Sequence, residues 1–145
     1  MNKFLLILFY SFISCASLGQ SGVNEYKKMI DSAIIMQPAQ LEGNVYLIDQ
    51  NNQPYILESD KSEQKFKSIS IEAKENRKLI KRGIRIWKIL PVLNKNQLMI
   101  TIVDFYVSYR RKNYNFLNGG GANIKFEYSC EEKQWILIES NWLGI

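Results

Sequence analysis

The chain has 145 residues and no histidine. That removes imidazole acid–base work, Ser-His-Asp and Cys-His nucleophiles, and histidine-ligated zinc or haem. The chemistry left to consider centres on Asp104, the acid within Ile-Thr-Ile-Val-Asp-Phe-Tyr-Val, Ile100 to Val107. A carboxylate in such an apolar run needs a partner, because burying an unpaired charge is costly. A tight turn over Asn94–Gln97 supplies one. It sets Ile84 opposite Val107, Ile86 opposite Phe105, Leu90 opposite Thr101 and Val92 opposite Met99. That face is nearly all apolar and is expected to contact a helix, with Lys88 opposite Val103 as its misfit. On the other face Arg85 meets Tyr106, Trp87 meets Asp104 and Ile89 meets Ile102. Arg85 and Asp104 become diagonal neighbours within reach of a long side chain.

Two readings follow for that face. In one it is the polar floor of a pocket. Asp104 is then an acid or base, Arg85 holds an anion, and Trp87 and Tyr106 are stacking walls. In the other, simpler reading Arg85 and Asp104 are a structural ion pair on a half-exposed sheet face, with Arg85 lying over Trp87 or Tyr106.

Basic residues form a second constellation. Lys74, Arg77, Lys78, Lys81, Arg82, Arg85 and Lys88 lie close together, opposed by Glu75 alone. Arg110, Arg111 and Lys112 fall at the same end of the hairpin, because Gly83 pairs with Ser108. A joint cationic patch suits anionic glycans, lipid head groups or an acidic protein surface; otherwise it is a solvated charged face. Nucleic acid would use the same charges, with Tyr109 and Tyr114 to stack on bases.

Other features carry less. Gly119-Gly120-Gly121 follows Asn118 but lacks the Lys-Ser/Thr of a phosphate loop and opens no helix, so it reads as a flexible hairpin loop. Tyr114, Phe116 and Leu117 on that loop either fold back onto the core or form a contact surface. Cys130 shares the parity of Phe126 and Tyr128 and is expected to be a buried small hydrophobe. With no histidine a metal site would need clustered carboxylates, and none has ligand spacing; Glu131-Glu132 at a turn could hold a loose cation at most, so no metal site is expected and no cofactor is implied.

The elements that position these residues follow from periodicity. From Val23 to Gln37 apolar residues recur three or four apart, giving an amphipathic helix with Ser21 as N-cap and Pro38 ending it; Asp31 falls on its polar side. Asn44–Asp60 reads as a hairpin turning at Asp49–Gln53, with strands at Val45–Ile48 and Tyr55–Leu57. Asp60–Lys67 reads as a helical turn and Ser68–Glu72 as a strand. Residues 73–82 fit a short helix or a charged hairpin turn. Ile84–Leu93 and Gln97–Tyr109 are long strands, Arg110–Ala122 a long loop, and Asn123–Cys130 and Gln134–Glu139 the last strands. The expected fold is α+β: an N-terminal helix on a curved antiparallel meander, cystatin-like or NTF2-like by analogy.

Residues 1–19 have the layout of a secretory signal peptide. Lys3 precedes an apolar run from Phe4 to Ile13, then the small residues Ser14 to Gly19. That run is too short to span a membrane. Cleavage after Gly19 leaves residues 20–145 as one domain and lowers the net charge of +5 by one. Phe12-Ile13-Ser14-Cys15 also resembles a bacterial lipoprotein box, which would tether the domain by acyl chains on Cys15; Phe12 departs from the aliphatic residue of that pattern. Without the leader only Cys130 remains, so no internal disulfide is expected.

Ile102-Val103-Asp104-Phe105-Tyr106, Asn118 to Gly121, Phe126 to Cys130, Trp135 and Gly144-Ile145 together look like small uncharacterised exported proteins of Bacteroidota. The resemblance implies an envelope or secreted location and carries no activity across. The expectation is an exported, non-catalytic binding module. Its contact residues are Arg85, Trp87, Arg110, Arg111, Lys112, Tyr114 and Phe116. Its partner is an envelope protein or an anionic glycan or lipid, and export argues against nucleic acid. The alternative is a small histidine-free enzyme with Asp104 as acid or base and Tyr106 assisting. A sheet edge offered to another chain is a third option.

Overall fold

A computed structural model describes residues 21–37, 43–58 and 65–144. The expected leader, Cys15 and residues 60–64 of the expected helical turn lie outside them. Helix α1 runs from Ser21 to Ile35. Its apolar stripe is Met29, Ile30, Ala33 and Ile34, all buried. At its C-terminal end the Gln37 side chain donates to the Ala33 carbonyl at 2.9 Å, satisfying a group the helix leaves unpaired.

Strands β1 (Val45–Ile48), β2 (Phe66–Ser68), β3 (Ile84–Asn94), β4 (Gln97–Arg110), β5 (Asn113–Ser129) and β6 (Gln134–Gly144) form one sheet in the order β2-β1-β3-β4-β5-β6. The fold is α+β, but the sheet is mixed. β1 runs parallel to both β2 and β3, and only β3 to β6 make the antiparallel meander. This corrects the expected hairpin at Asn44–Asp60. Its turn is present, with Asp49 Oδ1 accepting from the Asn51 and Gln53 amides at 2.8 Å. The returning segment makes a single bridge, Ile48 to Pro54, and then leaves the sheet. Lys88 Nζ reaches this turn and donates to Asn52 Oδ1 at 2.8 Å, which gives the misfit cation an acceptor. Residues 69–72 are not a strand either; the strand begins two residues before the expected Ser68 and ends there, at Phe66–Ser68. Residues 74–81 are a 3₁₀ turn, Lys74–Asn76, followed by the short helix α2, Arg77–Lys81.

The β3–β4 register agrees with the expected one, from Ile84↔Val107 to Asn94↔Gln97. The face covered by α1 does not. The helix packs on Trp87, Ile89, Leu98, Ile100 and Ile102, joined by Ala122, Ile124 and Phe126. Val92 and Met99, on the face expected to meet it, are exposed. The near end of that face has its own cover. Ile69, Ile71 and Ile80, from the crossover between β2 and β3, close over Ile48, Ile84, Ile86 and Val107. Both faces are apolar enough to bury, so alternation alone does not choose between them.

Two further expectations change. Residues 113–122 are strand, not loop: β5 is continuous, and Arg110 pairs with Asn113 across the two-residue turn Arg111-Lys112. Cys130 is exposed in the turn before β6, because the pleat that aims Phe126 inward ends at Ser129.

Asp31 also departs from its expected place on the polar side, being buried. It accepts from Lys27 Nζ at 2.6 Å, the Tyr55 hydroxyl at 2.7 Å and the Glu58 amide at 3.1 Å. These bonds clamp the 55–58 segment to α1. Burial, then the hydrogen bond to Asp31, push the Tyr55 phenol far above its ordinary value of 10.0. Folded protein therefore keeps a proton that the unfolded chain releases near pH 10. The clamp contributes fully below that pH and loses strength as pH rises above it. Urea unfolding should show stability falling from about pH 10 upward, with a shallower fall in Tyr55→Phe.

Trp87 anchors the main core. It is fully buried, with ring centroids 5.3 Å from Phe66 and 5.4 Å from Trp142. Trp87→Ala should lower the unfolding free energy by about 3–5 kcal/mol, measured by denaturant titration.

Candidate functional site

Asp104 is 1% exposed, in the middle of β4. Its carboxylate accepts from Arg85 Nε at 2.9 Å to each oxygen and from Arg85 Nη2 at 2.5 Å. The diagonal placement of Arg85 and Asp104 on adjacent strands makes this fork possible. Arg85 itself is 37% exposed, so one partner is inside the sheet and the other at its surface.

The neighbouring strand bends around this pair. Val103 pairs with Gly121 and Phe105 with Asn118, so β5 carries one extra residue opposite Asp104. This is a β-bulge, and it replaces the expected flexible glycine loop. Asn118 Oδ1 accepts from the Gly120 amide at 2.8 Å and Gly120 has φ +107°. A side chain on Gly121 would lie 2.1 Å from the Ile102 carbonyl oxygen.

An open cavity of about 540 Å³ lies over the pair, lined among others by Gly43, Tyr46, Gly83, Tyr106 and Gly119. Tyr106 is half exposed, and its hydroxyl end rests on Gly83, donating to the Arg82 carbonyl at 3.5 Å. Trp87, expected as a wall, is not one. It faces the α1 core instead, because Leu47 of β1 and the β6 side of the sheet close over it. The aromatic wall is Tyr106; Tyr46 also borders the cavity, but its side chain packs on the Ile48, Ile86 and Val107 core of the opposite face.

The basic residues meet on the opposite face at the same end of the sheet. Arg77 and Lys81 of α2, with Arg111 and Lys112 of the β4–β5 turn, surround an open cavity of about 700 Å³ beside Tyr109. The Arg77 guanidinium lies 5.6 Å from the Tyr109 ring centroid, and Tyr109 packs on Tyr114 at 4.7 Å. Arg77 Nε is buried and unpartnered. Among the described residues none of these four cations forms an ion pair. Arg111 and Lys112 both have positive φ, 50° and 67°, as a two-residue type I′ turn requires. Arg110 is exposed at the edge of this group.

The remaining candidates part company. Tyr114 folds back and donates to the Ile71 carbonyl at 2.8 Å. Phe116 is partly exposed, edge-on to Phe105 at 5.6 Å, and Leu117 is exposed. Among the described residues no group of three or more Cys, Asp or Glu can hold a metal, and no helix is long and apolar enough to cross a membrane.

No family model, curated protein or solved structure matches this chain. What the site can do therefore rests on its own geometry. Arg85→Ala would leave the Asp104 charge buried without its partner. It should cost about 3 kcal/mol in thermal or chemical unfolding. Replacing both residues with apolar ones, Arg85→Met with Asp104→Leu, should recover most of that loss.

Proposed function

We propose that the protein is an exported, non-catalytic binding module that holds polyanions through the cationic end of its sheet. The observation that carries this reading is the convergence of Arg77, Lys81, Arg111 and Lys112, without acidic partners among the described residues, around one open cavity. Four like charges held together repel one another, and an array of phosphate, sulfate or carboxylate groups relieves that repulsion. The turn adds weight. Left-handed backbone disfavours long L side chains by roughly 1–2 kcal/mol per residue, and Asn-Gly is the usual occupant of such a turn. Two adjacent cations hold these positions here.

Export rests on the leader-like run Phe4 to Ile13, and an envelope glycan or anionic lipid head group is the partner it brings within reach. Lipidation at Cys15 would keep the module at that surface. The resemblance to exported Bacteroidota proteins agrees with this location. The cystatin-like or NTF2-like analogy covers α1 and the four-stranded meander, and the parallel strands β1 and β2 fall outside it.

Heparin resin and vesicles with and without anionic lipid test the reading and separate glycan from lipid. The protein should be retained at low salt and released as salt rises. Arg111→Asn with Lys112→Gly should elute at lower salt, yet be more stable by about 1 kcal/mol because the turn is relieved. Equal retention of this variant, or none for the parent on either matrix, would overturn the proposal.

A further inference from the structure

Arg85 has an unused edge. Asp104 takes Nε and one N–H of Nη2, which is side-on pairing. Among the described residues nothing accepts from Nη1. The end-on edge of the guanidinium, Nη1 with the second N–H of Nη2, is therefore free on a side chain that lines the 540 Å³ cavity. Its partner fixes the rotamer beforehand, so little side-chain freedom remains to be lost on binding.

We propose that this cavity is a binding site for a small monocarboxylate with a planar, apolar body. Two parallel N–H groups match the two oxygens of a carboxylate. The Asp104 charge alongside cancels most of the arginine charge and repels a second negative charge on the ligand. The site thus selects a monoanion over a phosphate dianion. Tyr106 supplies a flat, partly apolar wall, as such a site requires. The floor is kept open by glycines. Gly43 and Gly83 have left-handed φ, +88° and +82°, which already favours glycine. Gly119 does not, and a Cβ there would stand 3.4 Å from Asp104 Oδ2, in ordinary contact. The bare position at 119 is therefore not required by the backbone; its effect is to leave room above the ion pair.

This site lies on the opposite sheet face from the cationic end and stands without it. The purified full chain, labelled with ¹⁵N, would be titrated with sodium benzoate and separately with inorganic phosphate. Benzoate should give saturable shifts at Arg85 Nε–H and at the Gly43 and Gly119 amides at millimolar concentration or below. Phosphate should give none there. Gly119→Val, whose Cβ has room beside Asp104 and whose methyls fill the space above the pair, should weaken benzoate at least tenfold, and Tyr106→Ala severalfold. Arg85→Lys should abolish the shifts while circular dichroism stays unchanged. Should that variant fail to fold, Gly119→Val decides. Absence of benzoate shifts, equal binding by Gly119→Val, or phosphate shifts at the same amides would each overturn the proposal.

Discussion

A carboxylate buried inside a sheet constrains everything around it. Asp104 lies in the middle of β4 with almost no exposure, and among the described residues Arg85 supplies its counter-charge. The guanidinium reaches it only because β3 and β4 hold one register, so the ion pair and the register depend on each other. A one-residue slip would throw Asp104 to the opposite face among Ile86 and Val107 and strand its charge. The bulge in β5 serves the same end. With an extra residue opposite Asp104, the glycines at 120 and 121 let the strand approach β6 and β4 more closely than any side chain permits.

Burial on both faces is the second constraint. β1 is only four residues long, but it sits between β2 and β3, and described segments cover it on both faces. The segment after β1 lies on the α1 side, held through Tyr55 and Glu58 to Asp31. The segment after β2 lies on the other, with Ile69, Ile71 and Ile80 in a separate core. From Ile86 to Ile89 β3 is thus covered on both sides, whereas Arg85 lies under the open cavity, and Val92 and Leu93 beyond the end of β1 are exposed. Pro91 sits in that outer half, past the last β1 pairing at Lys88, where the strand has a neighbour on one side only. A proline is tolerated at such an edge.

The amino-acid pattern discloses the long-range pairings that short turns dictate and hides those that depend on crossovers. The turn at Asn94–Gln97 fixes every β3–β4 pair, and with them the meeting of Arg85 and Asp104. The Val23–Gln37 periodicity places α1 within two residues at each end. The side of the hairpin under α1 is not readable, because Ile84, Ile86, Phe105 and Val107 are as apolar as Ile89, Leu98, Ile100 and Ile102. The parallel strands are hidden for a different reason. Four and three residues carry too little alternation, and their partners are set by tertiary packing. The glycine run misleads because a bulge and a loop favour the same residue. Arg111-Lys112 is missed as a turn because nothing in its side chains favours positive φ.

That last mismatch separates the two ends of the argument about function. At Asp104 the bulge and the glycines at 120 and 121 have a structural account in the burial of one charge, whereas the bare position at Gly119 leaves room above the pair. At the β4–β5 turn no such account exists. The Arg111 and Lys112 backbones sit where asparagine and glycine are at ease, and among the described residues their side chains make no ion pair that would offset the strain. Across the cavity Arg77 and Lys81 add like charge, and the buried Arg77 Nε lacks an acceptor. Strain, repulsion and an unmet donor all disfavour the same corner of the isolated molecule. A bound polyanion supplies acceptors and opposite charge at that corner. Its binding energy would grow with each cation held there.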